Sequence, residues 1–326
     1  MVHDIEVVTD IEVVTDVTDP TTGRPWEAAG MAGRVAGGVM LPQLRMDPAT
    51  IEARVLAAEE AGLHSVWFMD HLAAPALPEA DALEGWTLAS FLAARTERIR
   101  LGHLVLCDAF RPPALLAKMA ATLDVLSSGR LELGLGWGSV PGELETYGIG
   151  RGTPTERAAR LDETLTAVRA LLTGDPVDLA GEHVVLRGAM ARPRPVQDPL
   201  PITIGGAGRR LTLPLVNAHA DWWNCPCYAA DRLGELRPLV ADHVRVSVQR
   251  PIGLAASSAE REEVADLAQR RLGGWGGLVT GTPDEVADAL RRDVEAGAEL
   301  VIAVLHDFGR PESLQLFADE VLPALA

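Results

Sequence analysis

Four consecutive residues, Gly205-Gly206-Ala207-Gly208, stand between a short apolar run and a segment with helical spacing. Glycine at such a turn lets the backbone approach a phosphate closely, and the free N–H groups of the helix start point at the anion. A tight turn without a ligand has the same sequence signature. A second glycine segment, GLGWGS over 134–139, lacks the third glycine and the later acid of a dinucleotide-binding fingerprint.

Asp70-His71 directly follows another apolar run. A histidine at a strand end suits proton transfer, because an unperturbed imidazole titrates near neutrality. A metal site would need further ligands. His306 and Asp307 could supply them, but the four residues lack a characteristic ligand spacing, so we predict no metal. We predict His71 as a proton donor or acceptor, with a plain hydrogen bond to a cofactor as the alternative. His103, inside an apolar run, is interpreted as a hydrogen-bonded wall residue.

Tryptophan and glycine stand together at the ends of two apolar runs, in Gly136-Trp137-Gly138 and in Trp222-Trp223. Aromatic faces beside bare backbone suit a flat, π-rich ligand. Successive side chains of a strand point to opposite faces, so we expect at most one of Trp222 and Trp223 to line a site and the other to belong to the core.

These residues need elements that bring them to one place. Apolar runs alternate with helix-like segments from Val35 onward. The predicted strands begin at Val35, Ser65, Ile99, Leu131, Ile202, Asp221, Val246 and Leu300. Strands this apolar are buried on both faces, as in parallel sheets. Eight such units over roughly 290 residues predict an α/β fold, the (β/α)8 or TIM barrel, whose site lies at the carboxyl ends of the strands. An open doubly wound sheet is the alternative.

The clearest unit is a helix predicted over Pro113–Leu126, between strands predicted over Ile99–Leu106 and Leu131–Gly136. Proline before the helix and Ser-Ser-Gly after it are typical helix boundaries. A later strand within Val244–Ala255 is predicted to be interrupted by Pro251, and a closing helix is predicted over Ser313–Ala324.

Composition narrows the function classes. The chain has 326 residues, 48% of them apolar, which predicts a sizeable core. Its net charge of −17 argues against nucleic acid and against an anionic membrane surface as partners. We expect neither a membrane span nor a secretory signal. Three cysteines, with Cys225 and Cys227 interpreted as local packing, predict a reducing compartment, the cytoplasm. Lys118, the only lysine, lies in mid-helix, which disfavours Schiff-base chemistry.

The first residues differ from the rest of the chain. Residues 4–19 repeat the acidic hexapeptide DIEVVT about twice. We interpret residues 1–33 as a disordered or loosely packed leader, and residues 34–326 as a single barrel domain.

Several linked motifs resemble the luciferase-like flavin- and deazaflavin-dependent oxidoreductases. They are AAEEAGLHSVWFMDH (57–71), EGWTLASFLAARTERIRLG (84–102), FRPPALLAKMAATLDVLSSGRLELGLGWG (110–138), PLPITIGGAGRRLTLPLVNAHADWWN (199–224) and GTPDEVADALRRDVEAGAELVI (281–302). The resemblance runs from about Val35 to Leu325 and is greatest to the branch that uses coenzyme F420, an 8-hydroxy-5-deazaflavin. FMN is the alternative cofactor.

The resemblance implies a barrel with an insertion region at about 139–201, a homodimer, and a cofactor lying across the strand ends. Matched position by position, the implied cofactor-binding residues are Asp70, His71, Leu104, Val105, Cys107, Gly136, Trp137, Gly138, Gly205, Gly206, Ala207 and Gly208. In the family, the pair corresponding to Leu104-Val105 carries a non-prolyl cis peptide behind the ring, and the glycine turn binds phosphate.

The implied reaction is hydride transfer between C5 of the deazaflavin and a small organic substrate, with His71 as the catalytic residue. The alternatives are an FMN-dependent monooxygenase and a barrel that binds a cofactor or ligand without turnover. Three departures from the sugar-phosphate dehydrogenases of this family bear on the substrate. Pro75 replaces a tryptophan, Ser139 replaces a glutamate, and the lysines that bind the substrate phosphate have no counterpart. We therefore expect a substrate without phosphate and more apolar than a sugar phosphate.

Overall fold

The structure, a computed structural model, describes residues 35–75, 77–150 and 152–325. The leader predicted over residues 1–33 lies outside the described residues. The strands are β1 (Ala36–Met40), β2 (Ser65–Phe68), β3 (Arg100–His103), β4 (Leu106–Cys107), β5 (Leu131–Gly136), β6 (Val177–Ala180), β7 (Val185–Ala189), β8 (Ile202–Gly205), β9 (Trp222–Cys225), β10 (Arg245–Leu254), β11 (Val279–Gly281) and β12 (Leu300–Leu305). The helices are α1 (Pro48–Glu60), α2 (Gly85–Ala93), α3 (Pro113–Leu126), α4 (Pro141–Thr146), α5 (Pro154–Leu171), α6 (Thr212–His219), α7 (Leu233–Leu236), α8 (Arg261–Leu272), α9 (Pro283–Glu295) and α10 (Pro311–Leu316).

The main sheet closes into a parallel barrel. Its order is β1, β2, β3 with β4, β5, β8, β9, β10 and β12, and β12 pairs in turn with β1. Helices connect successive strands and cover the outside, which confirms the predicted TIM barrel and excludes the open doubly wound sheet. The short strand β11 extends the ladder beside β10. The antiparallel pair β6–β7 lies within the predicted insertion region.

The apolar residues form two layers, one inside the barrel and one between the sheet and the helices. β12 shows why its sequence is continuously apolar. Leu300, Ile302 and Val304 join the inner cluster, whereas the intervening residues of the same strand join the outer one. Both faces of the strand are therefore buried, as the pattern of apolar runs predicted.

The third barrel strand is broken at Leu104-Val105, whose peptide bond is cis, as the resemblance implied. The predicted single strand Ile99–Leu106 is therefore two pieces, β3 and β4, which both pair with β5. Gly134 makes this break possible. A Cβ atom at Gly134 would collide with the carbonyl oxygen of His103, so only glycine allows the two strands to approach this closely.

Predicted and observed boundaries agree closely for α3, β5 and β12. The predicted interruption at Pro251 is wrong, because β10 runs continuously through it. Pairing with β9 ends at Val248 and pairing with β11 begins at Ile252. Pro251 lies between these two ladders, where its missing N–H leaves no bond unmade.

The predicted closing helix Ser313–Ala324 is also not a single α-helix. It begins at Pro311, changes to a π-helical turn over Phe317–Val321 and ends in a 3-10 turn over Leu322–Leu325. The short elements α4, α7 and β11 were not predicted, because they are too short for apolar periodicity to reveal. Every helix in the described residues falls short of the length and apolar character needed to cross a membrane.

His64, at the start of β2, gives the fold a pH dependence. Its Nδ1 is buried without a hydrogen-bond partner among the described residues, and burial lowers the pKa of its imidazole to about 4. Below about pH 6.5 the histidine is protonated in the unfolded chain but stays neutral in the folded chain. The free energy of unfolding therefore decreases as the pH is lowered. Between about pH 7 and pH 5, we expect the free energy of unfolding to decrease by about 2 kcal/mol less in His64→Leu than in the wild type.

Urea denaturation at the two pH values measures this effect. The matched control is the exposed His243→Leu, which we expect to leave the pH dependence as in the wild type. An unchanged pH dependence in His64→Leu would contradict the assignment.

Candidate active site

A cavity of about 430 Å³ opens at the carboxyl ends of the barrel strands. Seven of the eight strand positions contribute residues to it. They include Met40, Met69, Asp70, His71, Leu104, Val105, Cys107, Gly136, Trp137, Gly138, Ser139, Gly205, Gly206, Gly208, Asn224 and Gln249. Glu143 and Leu144 of α4 and Trp275, which follows α8, complete the wall. The cavity therefore lies at the face where barrels of this type hold their sites.

Eleven of the twelve residues that the resemblance implied as cofactor-binding line this one cavity. The exception is Ala207, whose side chain packs against the outer apolar layer. Asp70 and Gly208 are far apart in the sequence but line the same cavity, because the barrel places the carboxyl ends of its strands on one rim.

Asp70 is held by Arg111, which was not among the predicted site residues. Nη1 and Nη2 of Arg111 each donate to one Asp70 carboxylate oxygen at 2.8 Å, and the Cys107 N–H donates to the same carboxylate at 2.8 Å. Arg111 also donates to Glu84 at 2.7 Å. Both oxygens of Asp70 are thus occupied by protein donors. This buried carboxylate ties the end of β2 to β4 and to the start of α3.

His71 has a carboxylate partner from the insertion region. Its Nδ1 lies 2.8 Å from Oε2 of Glu143. Oε1 of the same carboxylate accepts from the backbone N–H of Leu72 at 2.6 Å and of Ala73 at 3.3 Å. A carboxylate accepts but does not donate, so Nδ1 is the donor, and Nε2 is the acceptor of the neutral ring. Nε2 has no hydrogen-bond partner among the described residues.

The helix α4 is fastened to the loop after β2 through these contacts. A further bond joins them, because Tyr147 Oη, just after α4, donates to the Leu72 carbonyl at 3.3 Å. Glu143 was not predicted as a functional residue. The only signal was a carboxylate in the segment PGELETYG directly after a strand end, and nothing in the sequence pairs it with His71.

The glycine turn after β8 has an unusual backbone. Gly206 has φ of +130°, a conformation that other residues rarely adopt, and a Cβ there would lie 3.0 Å from Thr212 Cγ2. Across the cavity floor, a Cβ at Gly205 would lie 3.0 Å from Val105 Cγ1. Bare backbone therefore lines the cavity at this turn, beside the start of α6.

Neither Trp222 nor Trp223 lines the cavity, which is within the prediction that at most one of them would. Trp223 is fully buried in the outer layer, and its Nε1 donates to the Gly206 carbonyl at 2.8 Å. Trp222 lies inside the barrel with the Arg245 guanidinium 4.0 Å from its ring centroid. The aromatic residues at the cavity are Trp137 and Trp275, together with Tyr228.

His103 is a wall residue as predicted, but it is not hydrogen-bonded. Its ring stacks on Trp86, with 5.4 Å between ring centroids, and both of its nitrogens lack hydrogen-bond partners among the described residues. Complete burial lowers its pKa, so the ring is neutral near pH 7.

His306 and Asp307 do not join Asp70 and His71. Asp307 instead accepts from the Ser313 hydroxyl at 2.7 Å and from the Gly309 N–H at 3.0 Å, which orders the turn before α10. Over residues 35–75, 77–150 and 152–325, no three His, Cys, Asp or Glu side chains converge in a way that could hold a metal ion.

All three cysteines are buried and free. Burial raises the pKa of the Cys107 thiol at the cavity wall to about 12, and that of Cys225 to about 12 as well. At neutral pH both are therefore thiols, which are poor nucleophiles. We expect no cysteine of the native protein to react with a thiol reagent within minutes at neutral pH, and all three to react in denaturant. Titration with a chromogenic disulfide measures this, and one rapidly reacting thiol in the native protein would contradict it.

The sequence profile described as luciferase-like monooxygenase matches residues 26–274. A relative, the F420-dependent glucose-6-phosphate dehydrogenase of Amycolatopsis mediterranei (strain U-32), is 29% identical over 85% of this chain and 95% of its own. Among solved structures, an F420-dependent secondary alcohol dehydrogenase in complex with an F420-acetone adduct has a TM-score of 0.76 at 19% identity, covering 90% of this chain and 99% of its own. A monooxygenase from Streptomyces bottropensis has a TM-score of 0.73 at 23% identity, covering 89% of this chain and 100% of its own.

The two structural similarities establish the fold, and the profile match over most of the barrel establishes the family. They agree with the motifs and with the cavity at the strand ends. A barrel without catalytic activity, one of the alternatives from the sequence, is not supported by these relatives. The chain belongs to the luciferase-like monooxygenase family and is an oxidoreductase of that family.

Proposed function

We propose that this protein is an F420-dependent oxidoreductase that transfers a hydride between the deazaflavin and a small organic substrate. The observation that carries the proposal is the shared cavity. It combines a glycine turn at a helix start with a histidine whose Nε2 is free to exchange a proton. The similarity to an F420-dependent dehydrogenase over 85% of the chain supports this cofactor over FMN.

The cavity residues fit such a cofactor. Gly205, Gly206 and Gly208 leave the space that Cβ atoms would otherwise occupy, and the adjoining start of α6 favours an anionic group. Val105 and Trp137 present apolar surface suited to a flat ring. These residues, together with Leu104, Cys107, Gly136 and Gly138, would hold the cofactor. When bound, a deazaflavin supplies a carbon that accepts or donates a hydride.

His71 would accept or donate the proton that accompanies the hydride. With the bound cofactor supplying hydride acceptance, an alcohol would lose its C–H hydride to that cofactor and its hydroxyl proton to His71 Nε2, which would leave a carbonyl product. In the reducing direction His71 would return that proton to the carbonyl oxygen. Glu143 fixes the ring so that Nε2, rather than Nδ1, exchanges the proton.

The matching experiment is an anaerobic reaction of the F420-loaded protein with a panel of alcohols and ketones, followed by the absorbance change of the deazaflavin. We expect turnover of some member without oxygen uptake. Oxygen consumed in proportion to reduced FMN, with no reaction of F420, would identify the FMN-dependent monooxygenase instead.

Glu143 offers a prediction within this function. We expect Glu143→Ala to lower kcat/KM about 10- to 100-fold, because His71 loses the acceptor that orients it and the loop after β2 loses two backbone bonds. The matched control is Glu145→Ala, which removes an exposed carboxylate from the same helix. Steady-state rates of F420 reduction measure both, and wild-type kcat/KM in Glu143→Ala would contradict the role.

We also propose that the protein is a cytoplasmic homodimer. Exposed Phe91 on α2 and Leu115 on α3 place apolar side chains on adjoining outer helices, which suits contact with a second copy. Three free cysteines suit a reducing compartment.

A further inference from the structure

The floor of the cavity is formed by the apolar interior of the barrel. Met40 and Met69 belong to the inner cluster, and Leu104 and Trp275 pack against it. A ligand that reaches this floor therefore meets thioether, aliphatic and indole groups. Such a surface binds the apolar body of a molecule and contributes little to a charged one.

One strongly polar side chain on this floor lacks a strong partner. Gln249 on β10 is 7% exposed, and among the described residues its side chain makes one hydrogen bond, from Nε2 to the Met40 sulfur, a weak acceptor. Its Oε1 has no donor among the described residues. A carboxamide that donates only to sulfur, and whose oxygen has no protein donor, gains stronger hydrogen bonds from a bound neutral group that both donates and accepts.

Asn224 stands beside it on the neighbouring strand. Its Nδ2 donates to the Ser247 hydroxyl at 3.0 Å, and Ser247 precedes Gln249 by two residues on the same face of β10. Asn224 Oδ1, like Gln249 Oε1, has no donor among the described residues, so the floor carries two neighbouring amide oxygens that can accept from a hydroxyl group.

Away from the glycine turn, the described residues that line the cavity offer an anionic substrate no cationic partner. The described residues that line it include two carboxylates, Asp70 and Glu143, and neither arginine nor lysine. Asp70 is already paired with Arg111, so a phosphate dianion on the substrate would lose its hydration there without gaining a cationic partner.

We propose that the substrate of this oxidoreductase is an uncharged alcohol or carbonyl compound, with Gln249 as the residue that recognises its neutral polar group and Trp275 packing against its apolar body. The inference rests on the proposed function for the identity of the site. It separates this chain from the glucose-6-phosphate dehydrogenases to which its sequence is similar.

The test uses matched pairs that share one carbon skeleton, such as cyclohexanol with cyclohexyl phosphate and glucose with glucose 6-phosphate. Isothermal titration measures their Kd against the F420-loaded protein and against the cofactor-free protein. We expect the uncharged member of the cyclohexyl pair to bind at least about tenfold more tightly, and glucose 6-phosphate to bind no better than glucose. Tighter binding of either phosphate, or no binding of cyclohexanol at millimolar concentration, would overturn the inference.

A variant assigns the preference to Gln249. Gln249→Leu is expected to weaken cyclohexanol binding about tenfold while the Kd of F420 changes less than about twofold. Gln249→Met tests the same loss with a more flexible side chain, should the leucine variant fold poorly. Gln315→Leu, the same change at an exposed position of α10, is the matched control and should leave both Kd values unchanged. Unaltered cyclohexanol binding in both Gln249 variants would refute the assigned role.

The two proposals fail in different ways. Loss of F420 binding with the uncharged preference retained would refute the proposed function alone. Intact F420 binding with a preference for the phosphate would refute the substrate class alone.

Discussion

Asp70→Ala is expected to lower the free energy of unfolding by about 3–5 kcal/mol, the largest stability effect of any change at the site. The carboxylate accepts both terminal nitrogens of Arg111 and the backbone N–H of Cys107. Its removal leaves a guanidinium that is 11% exposed with Glu84 as its remaining partner, and leaves a buried N–H without an acceptor. Denaturation by urea, followed by far-UV circular dichroism, measures the change.

The control for this prediction is a solvent-exposed ion pair on the surface of the protein. Asp198 pairs with Arg194 at 3.1 Å, and both side chains are more than half exposed. Exposed pairs of this kind contribute up to about 1 kcal/mol, so Asp198→Ala should unfold nearly as the wild type does. Equal destabilisation by the two substitutions would show that Asp70 is not a structural tie between β2, β4 and α3.

His71→Ala is expected to lower kcat about 10²- to 10⁴-fold with the Kd of F420 changed less than about threefold. The physical reason is that Nε2 is the only described ring nitrogen at the cavity that is free to exchange a proton, while the glycine turn and Val105 would retain the cofactor. Stopped-flow reduction of F420 measures the rate, and fluorescence quenching measures the Kd.

His219→Ala serves as the matched control. This histidine also pairs with a carboxylate, Asp162, at 2.5 Å, but it lies on α6 away from the cavity. We expect its turnover to equal that of the wild type. If His71→Ala kept both turnover and affinity, the histidine would be no more than a wall residue.

The barrel was predictable because buried strands and amphipathic helices leave periodic signals that do not depend on distant contacts. β12 is the plainest case, since its run of six apolar residues predicted burial on both faces of the strand, and all six residues are buried. The cis bond at Leu104-Val105 was not readable from composition or spacing. It was implied by the family resemblance, and the structure has it.

The partners of the site residues were not predictable in the same way. Glu143 lies 72 residues after His71, and Arg111 lies 41 residues after Asp70. Neither separation carries a pattern, because a barrel brings strand ends together regardless of the chain between them. The local rule about strand alternation did separate Trp222 from Trp223, but it could not tell that the inward Trp222 lies at the amino-terminal end of β9, with Arg245 over its ring.

The most direct measurement is a fluorescence titration of F420 with this protein, run in parallel with FMN and with the variants Gly206→Ala and Gly234→Ala. Gly206 has φ of +130° in the turn after β8, whereas a Cβ at Gly234 would meet only an ordinary contact at 3.9 Å. We expect saturable binding of F420, at least about tenfold tighter than FMN, at least about tenfold weaker in Gly206→Ala and unchanged in Gly234→Ala. Absence of saturable F420 binding to the wild type, or equal affinity in the two variants, would contradict a deazaflavin held by this turn.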